Sequence, residues 1–483
     1  MGKLKRLAGD TVLYGLGSIL PKFLNFLLVY LHTSVFLPAE YGVISYLYVY
    51  VSFLNVIFAF GMETAYFRFA TKPGADEDKI FNIAQTVVVS ISVALSIVIV
   101  AFSNPIANAL HVEGKSHYIL WIIIAILFID SVVAIPFARL RLQKKPLQFA
   151  LGRILNIVIL VGLNVYFLYY AFNSTVGIAF VFIANLAANA FYLFFFSRTL
   201  LRWRPAYHKE ISSSMFGYAY PIMITGLAGM TNEMFSRLTL EWWLPENFYP
   251  GRSSKYALGI FSACYKFSVI MSLVVLAFRY AAEPFFFSNA AEKNSPQLFA
   301  KVNHYFVIVC CVILVGVSIN LDIIKHFFGR EEYWEGLPIV PILLLGYLFL
   351  GVYYNMSVWF KLIDKTYFGT IIAIGGAVIT FAANYILIPY FGYMGSSWAT
   401  LICYFSMTIA CYFFGQKFYP IPYRILKDAG YILVASFLVY ATNLFVIENQ
   451  WIATGFHGLV LITFILFAYL LERKELIPAS TPK

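Results

Sequence analysis

The 483-residue sequence is 61% hydrophobic and only 12% charged, whereas soluble globular domains are about 45–50% apolar and about 25% charged. This composition excludes an ordinary soluble fold and predicts an all-α integral membrane protein, because the apolar runs lack the alternation of a membrane barrel. The net charge of +11 would suggest nucleic acid in a soluble domain, but here the basic residues flank apolar runs and indicate topology, so no nucleic-acid partner is expected.

Apolar runs follow one another along the chain, each long enough to cross about 30 Å of hydrocarbon. The first run follows Lys3, Lys5 and Arg6 but lacks a small-residue cleavage site, so it is interpreted as a retained span and not a signal peptide. We predict 14 transmembrane helices. The predicted spans cover residues 11–36, 41–63, 80–102, 118–138, 147–171, 176–197, 214–240, 256–283, 302–321, 339–360, 367–389, 393–415, 429–446 and 451–471.

Lysine and arginine are unevenly distributed over this map. With the N-terminus inside, the cytoplasmic segments hold 24 of the 34 basic residues, the outer loops hold five and the spans hold five. Because cytoplasmic loops carry the excess of basic residues in membrane proteins, both termini are predicted to be cytoplasmic.

A weak internal repeat relates the two halves of the chain at an offset of about 217 residues, where Tyr41–Ser45 resembles Leu258–Ser262. Six spans per repeat is an even number, so both halves insert in the same sense. The repeat predicts two pseudo-symmetric six-helix lobes with a central cavity and an added C-terminal helix pair. The predicted units are residues 1–210, residues 211–416, and residues 417–483 with spans thirteen and fourteen and a cytoplasmic tail.

Ionisable residues within the spans are the first candidates for function, because a charge at the bilayer centre costs about 2.5–3.5 kcal/mol on insertion scales. Lys22, Asp130 and Lys266 lie near mid-depth on this map. Lys22 follows Pro21, which removes a helix donor and bends helices. Contact with substrate in a cavity is the functional interpretation of the two lysines, and a structural pair with a carboxylate such as Asp130 is the alternative.

Two charge pairs have the i, i+4 spacing that places both members on one helix face. Glu233 and Arg237 form one pair in span seven, and Arg279 and Glu283 form the other at the inner end of span eight. Neutralisation within each pair is the alternative to a role in coupling.

Arg153 and Arg68 lie nearer the predicted cytoplasmic interface, where a substrate contact competes with snorkelling or ordinary anchoring. Cations outnumber anions within the spans, which favours an anionic substrate carrying phosphate or pyrophosphate. The tyrosines considered for sugar stacking are Tyr48, Tyr50, Tyr353 and Tyr354. The predicted substrate-binding residues are Lys22, Lys266, Arg153, Arg237 and Arg68, and the predicted coupling or charge-pair residues are Asp130, Glu233, Arg279 and Glu283.

Several signals of other chemistry are missing from the sequence. The five cysteines all lie in apolar runs, where free cysteine behaves as a small buried hydrophobe. The sequence has no GxxxxGKS or GxxxxGKT phosphate loop, no HExxH and no GxSxG. We therefore predict a non-enzyme without a metal or organic cofactor, with coupling to H+ or Na+ left open.

Several motifs together resemble the bacterial polysaccharide exporters, which belong to the multidrug/oligosaccharidyl-lipid/polysaccharide (MOP) superfamily and include the O-antigen flippases. The motifs are Tyr14–Gly17, Leu37–Gly42, Gly259–Ala263, Glu283–Pro284, Asn384–Gly395 and Trp398–Thr400. The resemblance implies alternating access and export of an undecaprenyl-pyrophosphate-linked oligosaccharide across the bacterial cytoplasmic (inner) membrane. Lys22, Arg68 and Lys266 occupy the spans that carry basic cavity residues in the family.

The resemblance leaves alternatives. A lipid II flippase of the same superfamily would need only a different headgroup pocket, and a drug antiporter would prefer cationic substrates. A polysaccharide polymerase or ligase is disfavoured by the short predicted outer loops, and a non-transporting scaffold leaves the intramembrane cations unexplained. The expected partners are the glycan lipid, membrane lipid and, in assembly, a polysaccharide polymerase and other assembly proteins.

Overall fold

The structure is a computed structural model that describes residues 2–110, 117–445, 447 and 449–476. Lys115 and the predicted tail at 477–483 lie outside the described residues, as do the side chains of the basic residues before span one. All regular structure in the described part of the chain is helical. The predicted all-α class is therefore confirmed.

The first compact unit comprises residues 1–242 and 249–259. A short π-helical turn, Tyr166–Tyr170, extends the helix Pro146–Val165 of this unit. Its helices are α1 (Gly2–Val35), α2 (Pro38–Ala59), α3 (Met62–Ala70), α4 (Glu77–Ala101), α5 (Ser103–Ala109), α6 (His117–Leu142), α7 (Pro146–Val165), α8 (Ala179–Phe195), α9 (Ser197–Arg202) and α10 (Lys209–Trp243). The last residue of α10, Trp243, belongs to the second unit.

The second compact unit comprises residues 243–248 and 260–483. Its first helix, α11 (Ser254–Asn289), begins within residues 249–259 of the first unit and continues into the second unit. Its helices are α11 (Ser254–Asn289), α12 (Ser295–Ser318), α13 (Leu321–Ile324), α14 (Ile339–Met356), α15 (Val358–Leu362), α16 (Tyr367–Phe391), α17 (Tyr393–Phe418), α18 (Ile425–Asn443) and α19 (Gln450–Leu476).

Twelve helical segments in the described part of the chain are long and apolar enough to cross a membrane. Predicted spans six and seven are not among them. Span six is α8, which has only 17 residues, whereas span seven is α10, a helix of 35 residues whose apolar sequence is interrupted by polar and charged side chains. The chain is a multi-pass membrane protein, and the count of 14 spans stays a prediction.

Helix boundaries follow local sequence signals. Pro38 occupies the first turn of α2, where its missing N–H costs no hydrogen bond, and the Leu37 N–H donates to Glu40 Oε2 at 2.9 Å. Phe60 and Gly61 adopt left-handed φ angles of 50° and 67°, which end α2 before α3 begins. Glycine fits at position 61 because a Cβ there would also lie 2.8 Å from the Ala219 carbonyl oxygen.

The internal repeat has a physical counterpart at a helix crossing between the starts of α2 and α11. A Cβ on Gly42 would lie 1.9 Å from the Lys255 carbonyl oxygen, and a Cβ on Gly259 would lie 1.8 Å from the Pro38 carbonyl oxygen. Each carbonyl belongs to the residue four positions before the other glycine, so the contact is locally two-fold symmetric. The two glycines aligned by the repeat therefore let the two backbones touch.

Candidate functional site

Lys22 lies in α1 directly after Pro21, and its side chain is exposed. It makes no ion pair with any residue that the structure describes, so the alternative interpretation of Lys22, a structural pair with Asp130, is not present there. Elsewhere α1 packs closely on α7, where a Cβ on Gly17 would lie 2.9 Å from the Ala150 Cα atom. A lysine within a predicted span that lacks a partner is suited to an anionic ligand.

Lys266 lies in α11 and is half-buried between two buried aromatic neighbours in the sequence, Tyr265 and Phe267. The Tyr265 hydroxyl shares a hydrogen bond with the hydroxyl of Tyr347, and the Ser268 hydroxyl donates to the Tyr265 carbonyl at 2.6 Å. The helix segment that carries Lys266 is therefore fixed by packing and hydrogen bonds in the second unit. Its role as a substrate ligand stays a prediction.

Asp130 and Arg153 belong to a polar network inside the first unit. Asn189 Nδ2 donates to Asp130 Oδ1 at 2.9 Å, and Asn156 Nδ2 donates to Asn189 Oδ1 at 3.2 Å. The guanidinium of Arg153 lies 4.2 Å from the centroid of the Phe137 ring and acts electrostatically on Asp130. This network supplies the carboxylate with a donor and a nearby cation, which reduces the cost of burying it.

The sequence reasoning missed the two asparagines of this network. Asn156 and Asn189 lie in otherwise apolar stretches of α7 and α8, and an amide in such a run is itself a signal, because it needs a hydrogen-bond partner once buried. Asn156 finds two, since it also donates to the Ala188 carbonyl at 2.8 Å. The pairing of α7 with α8 is therefore specified partly by amides.

Glu283 joins two cations in the second unit. Arg279 Nε lies 3.0 Å from Glu283 Oε1, which is the i, i+4 pair expected from the sequence. Lys361 Nζ, from α15, reaches the same carboxylate oxygen at 2.5 Å. The Arg279 guanidinium also lies 4.8 Å from the centroid of the Tyr354 ring, so this pair is embedded in a structural cluster.

Arg237 is buried in α10, where its guanidinium contacts the sulfur of Met234, and Glu233 is half-buried one turn before it. Arg68 is exposed at the end of α3 and lies 4.2 Å from the centroid of the Tyr218 ring. Arg141, from a neighbouring helix, pairs with Glu63. Arg68 and Arg237 thus lie on separate helices of the first unit, and their roles stay predictions.

Tyr48 and Tyr50, two of the four tyrosines proposed for sugar stacking, form hydrogen bonds within the first unit. Tyr48 accepts a hydrogen bond at 3.0 Å from Asn185 Nδ2 and stacks on Phe182 with ring centroids 5.0 Å apart. Tyr50 donates to the hydroxyl of Tyr46 at 3.1 Å. Both tyrosines therefore help to hold the first unit together.

A second buried charge cluster, which the sequence did not reveal, joins three helices of the second unit. His304 of α12 is fully buried and contacts the Asp428 carboxylate of α18 through Nδ1, while its Nε2 lies 3.3 Å from Glu472 Oε1 of α19. Lys427 Nζ and the Tyr431 hydroxyl also reach Glu472, at 2.7 Å and 2.8 Å. The cluster fastens the added helices α18 and α19 to α12.

We expect Asp428→Ala to destabilise the folded protein, because it removes the carboxylate facing a buried imidazole. Breaking a buried pair on one side costs about 3–5 kcal/mol in soluble proteins. Thermal unfolding of the purified protein in detergent measures the effect. Glu292→Ala, which removes an exposed carboxylate from the same unit, is the control, and equal melting temperatures for the two variants would contradict the clamp role of His304 and Asp428.

A sequence model of a family described as polysaccharide biosynthesis protein matches residues 35–291, just over half of the chain. No curated protein sequence matches the chain. Several solved structures share the fold over most of their length.

A structure titled lipid II flippase MurJ, in an inward closed conformation, is similar with a TM-score of 0.77 and 16% identity, and the match covers 96% of this chain and 100% of that one. An inward-facing MATE family transporter of the MOP superfamily matches with a TM-score of 0.62 and 13% identity, covering 88% of this chain and 98% of that one. A Vibrio cholerae MATE transporter matches with a TM-score of 0.58 and 14% identity, covering 86% and 96%. The chain shares the fold of these proteins, and the family match over residues 35–291 confirms the resemblance to polysaccharide exporters predicted from the sequence.

Proposed function

Since the chain belongs to the family of polysaccharide biosynthesis proteins, we propose that it is a flippase that moves an undecaprenyl-pyrophosphate-linked oligosaccharide across the bacterial cytoplasmic membrane by alternating access. The observation that carries the proposal is the combination of this family with a transporter fold along nearly the whole chain. The family points to a polysaccharide pathway, and the fold points to movement across a membrane. A polymerase or ligase would explain only the first of these.

Intramembrane cations support an anionic, pyrophosphate-bearing substrate. Lys22 is exposed and has no ion-pair partner among the described residues, whereas Arg279 is already neutralised by Glu283. We assign pyrophosphate contact to Lys22 and Lys266, because an ammonium group forms short charge-assisted hydrogen bonds with phosphate oxygens. In this proposal Arg153, Arg237 and Arg68 assist.

The lipid tail stays in the bilayer during transport, and only the headgroup crosses the polar path through the protein. Keeping the tail in lipid avoids the loss of about 0.8 kcal/mol for each CH₂ group that leaves an apolar environment. The topology proposed from the Lys and Arg distribution places both termini in the cytoplasm, so the substrate enters from the cytoplasmic leaflet. A polysaccharide polymerase and other assembly proteins would use the exported product.

The test is flipping of a fluorescent undecaprenyl-pyrophosphate oligosaccharide in proteoliposomes, with no gradient, a proton gradient or a sodium gradient. We expect flipping above protein-free liposomes, with the stimulating gradient identifying the coupling ion. Fluorescent lipid II is the second substrate, because the MurJ fold match makes a lipid II flippase the other candidate. Flipping of lipid II alone would replace the proposal, and flipping of neither lipid with several glycans tested would contradict a flippase.

A further inference from the structure

A basic cleft of about 850 Å³ opens at one end of the first unit. It lies where α4 begins, α6 ends, α7 begins and α8 passes into α9. The charged residues of its lining are Asp78, Arg139, Lys145, Arg198, Arg202 and Arg204. The predicted topology places these connections on the cytoplasmic side.

Positive charge in the cleft is largely uncompensated. Its lining contains five cations and one carboxylate, and of these cations Arg139 is the one held by acidic partners, Glu77 at 3.1 Å and Asp78. The remaining cations are exposed and form no ion pair with any residue in the described ranges. They are Lys145, Arg198, Arg202 and Arg204.

Two backbone anchors hold the connection that carries part of this charge. The Arg204 N–H donates to Asn82 Oδ1 at 3.2 Å, and the Ala206 N–H donates to Thr86 Oγ1 at 3.0 Å. The indole of Trp203 also lies 3.3 Å from Thr86 Oγ1. The arginines flanking Trp203 therefore extend from a fixed strap across α4, which limits the entropy lost when an anion binds.

Exposed apolar side chains adjoin the cleft in sequence and indicate where its ligand comes from. Leu201 is 86% exposed, Phe194 78% and Leu147 58%. Each of the three is the immediate sequence neighbour of a residue that lines the cleft. Large apolar side chains beside arginines are typical of the boundary between hydrocarbon and headgroups. Exposed apolar side chains thus adjoin the basic cleft in the sequence, which favours a ligand that carries both acyl chains and phosphate.

We propose that this cleft binds the phosphate-bearing headgroup of a membrane lipid. Guanidinium groups match phosphate oxygens in paired hydrogen bonds, and arginine is less strongly hydrated than lysine. Lipid binding here is independent of the proposed transport, because none of the nine predicted site residues, all within the described part of the chain, lines the cleft. Its failure and a failure to flip substrate are therefore separate results.

The experiment compares two triple variants that remove the same charge. The cleft variant combines Arg198→Gln, Arg202→Gln and Arg204→Gln. The control variant combines Lys72→Gln, Lys144→Gln and Lys209→Gln, and these three lysines are exposed and do not line the cleft. Native mass spectrometry of delipidated protein measures binding of dioleoyl phosphatidylglycerol and of dioleoylglycerol, which has the same tails without phosphate. Inorganic pyrophosphate is the soluble probe, and circular dichroism checks folding.

We expect wild type and the control variant to bind phosphatidylglycerol at least about tenfold more tightly than the cleft variant. Each basic residue near an anionic headgroup contributes about 1 kcal/mol, which corresponds to about a fivefold change in affinity. Dioleoylglycerol should not distinguish the proteins. Equal weakening in both variants would show diffuse attraction and overturn the cleft assignment. If pyrophosphate bound as tightly as phosphatidylglycerol and also depended on the cleft arginines, the proposal that the ligand is a membrane lipid would be overturned.

Discussion

Replacing Lys22 or Lys266 with alanine should lower the rate of glycan-lipid flipping by at least about tenfold while leaving the protein folded and inserted. Each lysine is assigned a charge-assisted contact with the pyrophosphate, and such a contact contributes about 1.5–3 kcal/mol, or roughly 10–150-fold in rate if it acts in the transition state. Lys22 is exposed in α1 and has no ion-pair partner among the described residues, so its removal breaks no internal pair. The proteoliposome assay with initial flipping rates measures the effect.

Two further variants separate charge from local structure at Lys22. Lys22→Arg retains a cation and should retain most of the flipping rate, whereas Lys22→Gln should behave like alanine. Lys144→Ala removes an exposed lysine between α6 and α7 and should leave the rate unchanged. Full activity of both Lys22→Ala and Lys266→Ala would remove the pyrophosphate assignment without changing the fold.

Adding one methyl group at the crossing of α2 and α11 should strongly destabilise the protein. At Gly42 and Gly259 a Cβ would overlap backbone carbonyl oxygens, at 1.9 Å and 1.8 Å, and neither carbonyl can rotate away without breaking a helix. Overpacking typically costs about 1–3 kcal/mol and sometimes more, and here both helices must separate. We expect Gly42→Ala and Gly259→Ala each to lower the yield of monodisperse protein and its melting temperature in detergent.

Gly217→Ala is the matched control for this crossing. Gly217 is also inside a long helix, but a Cβ there would have no heavy atom within 4 Å. Alanine is favoured over glycine in a helix by up to about 1 kcal/mol, so this variant should be as stable as the wild type or more stable. If Gly42→Ala and Gly217→Ala melted at the same temperature, the close crossing would be wrong.

Sequence alone determined the fold class, because backbone groups in hydrocarbon must be satisfied within a helix, and long apolar runs therefore admit one main solution. The resemblance to polysaccharide exporters was also readable from sequence motifs, and the family match and the shared fold confirm it. So was the i, i+4 pair of Arg279 with Glu283. The repeat identified Gly42 and Gly259 as equivalent positions. These features depend on local pattern or on comparison of one segment with another.

Tertiary structure alone decided which polar groups on different helices meet. His304, Asp428 and Glu472 are far apart in sequence and belong to three different helices, yet they form one buried cluster. The basic cleft likewise brings together basic residues from separate interhelical connections. In the sequence these residues only indicated which side of the membrane each connection lies on. The physical reason is that lipid is as apolar as a protein core, so a membrane helix is apolar all round and its sequence does not show which face packs on which neighbour.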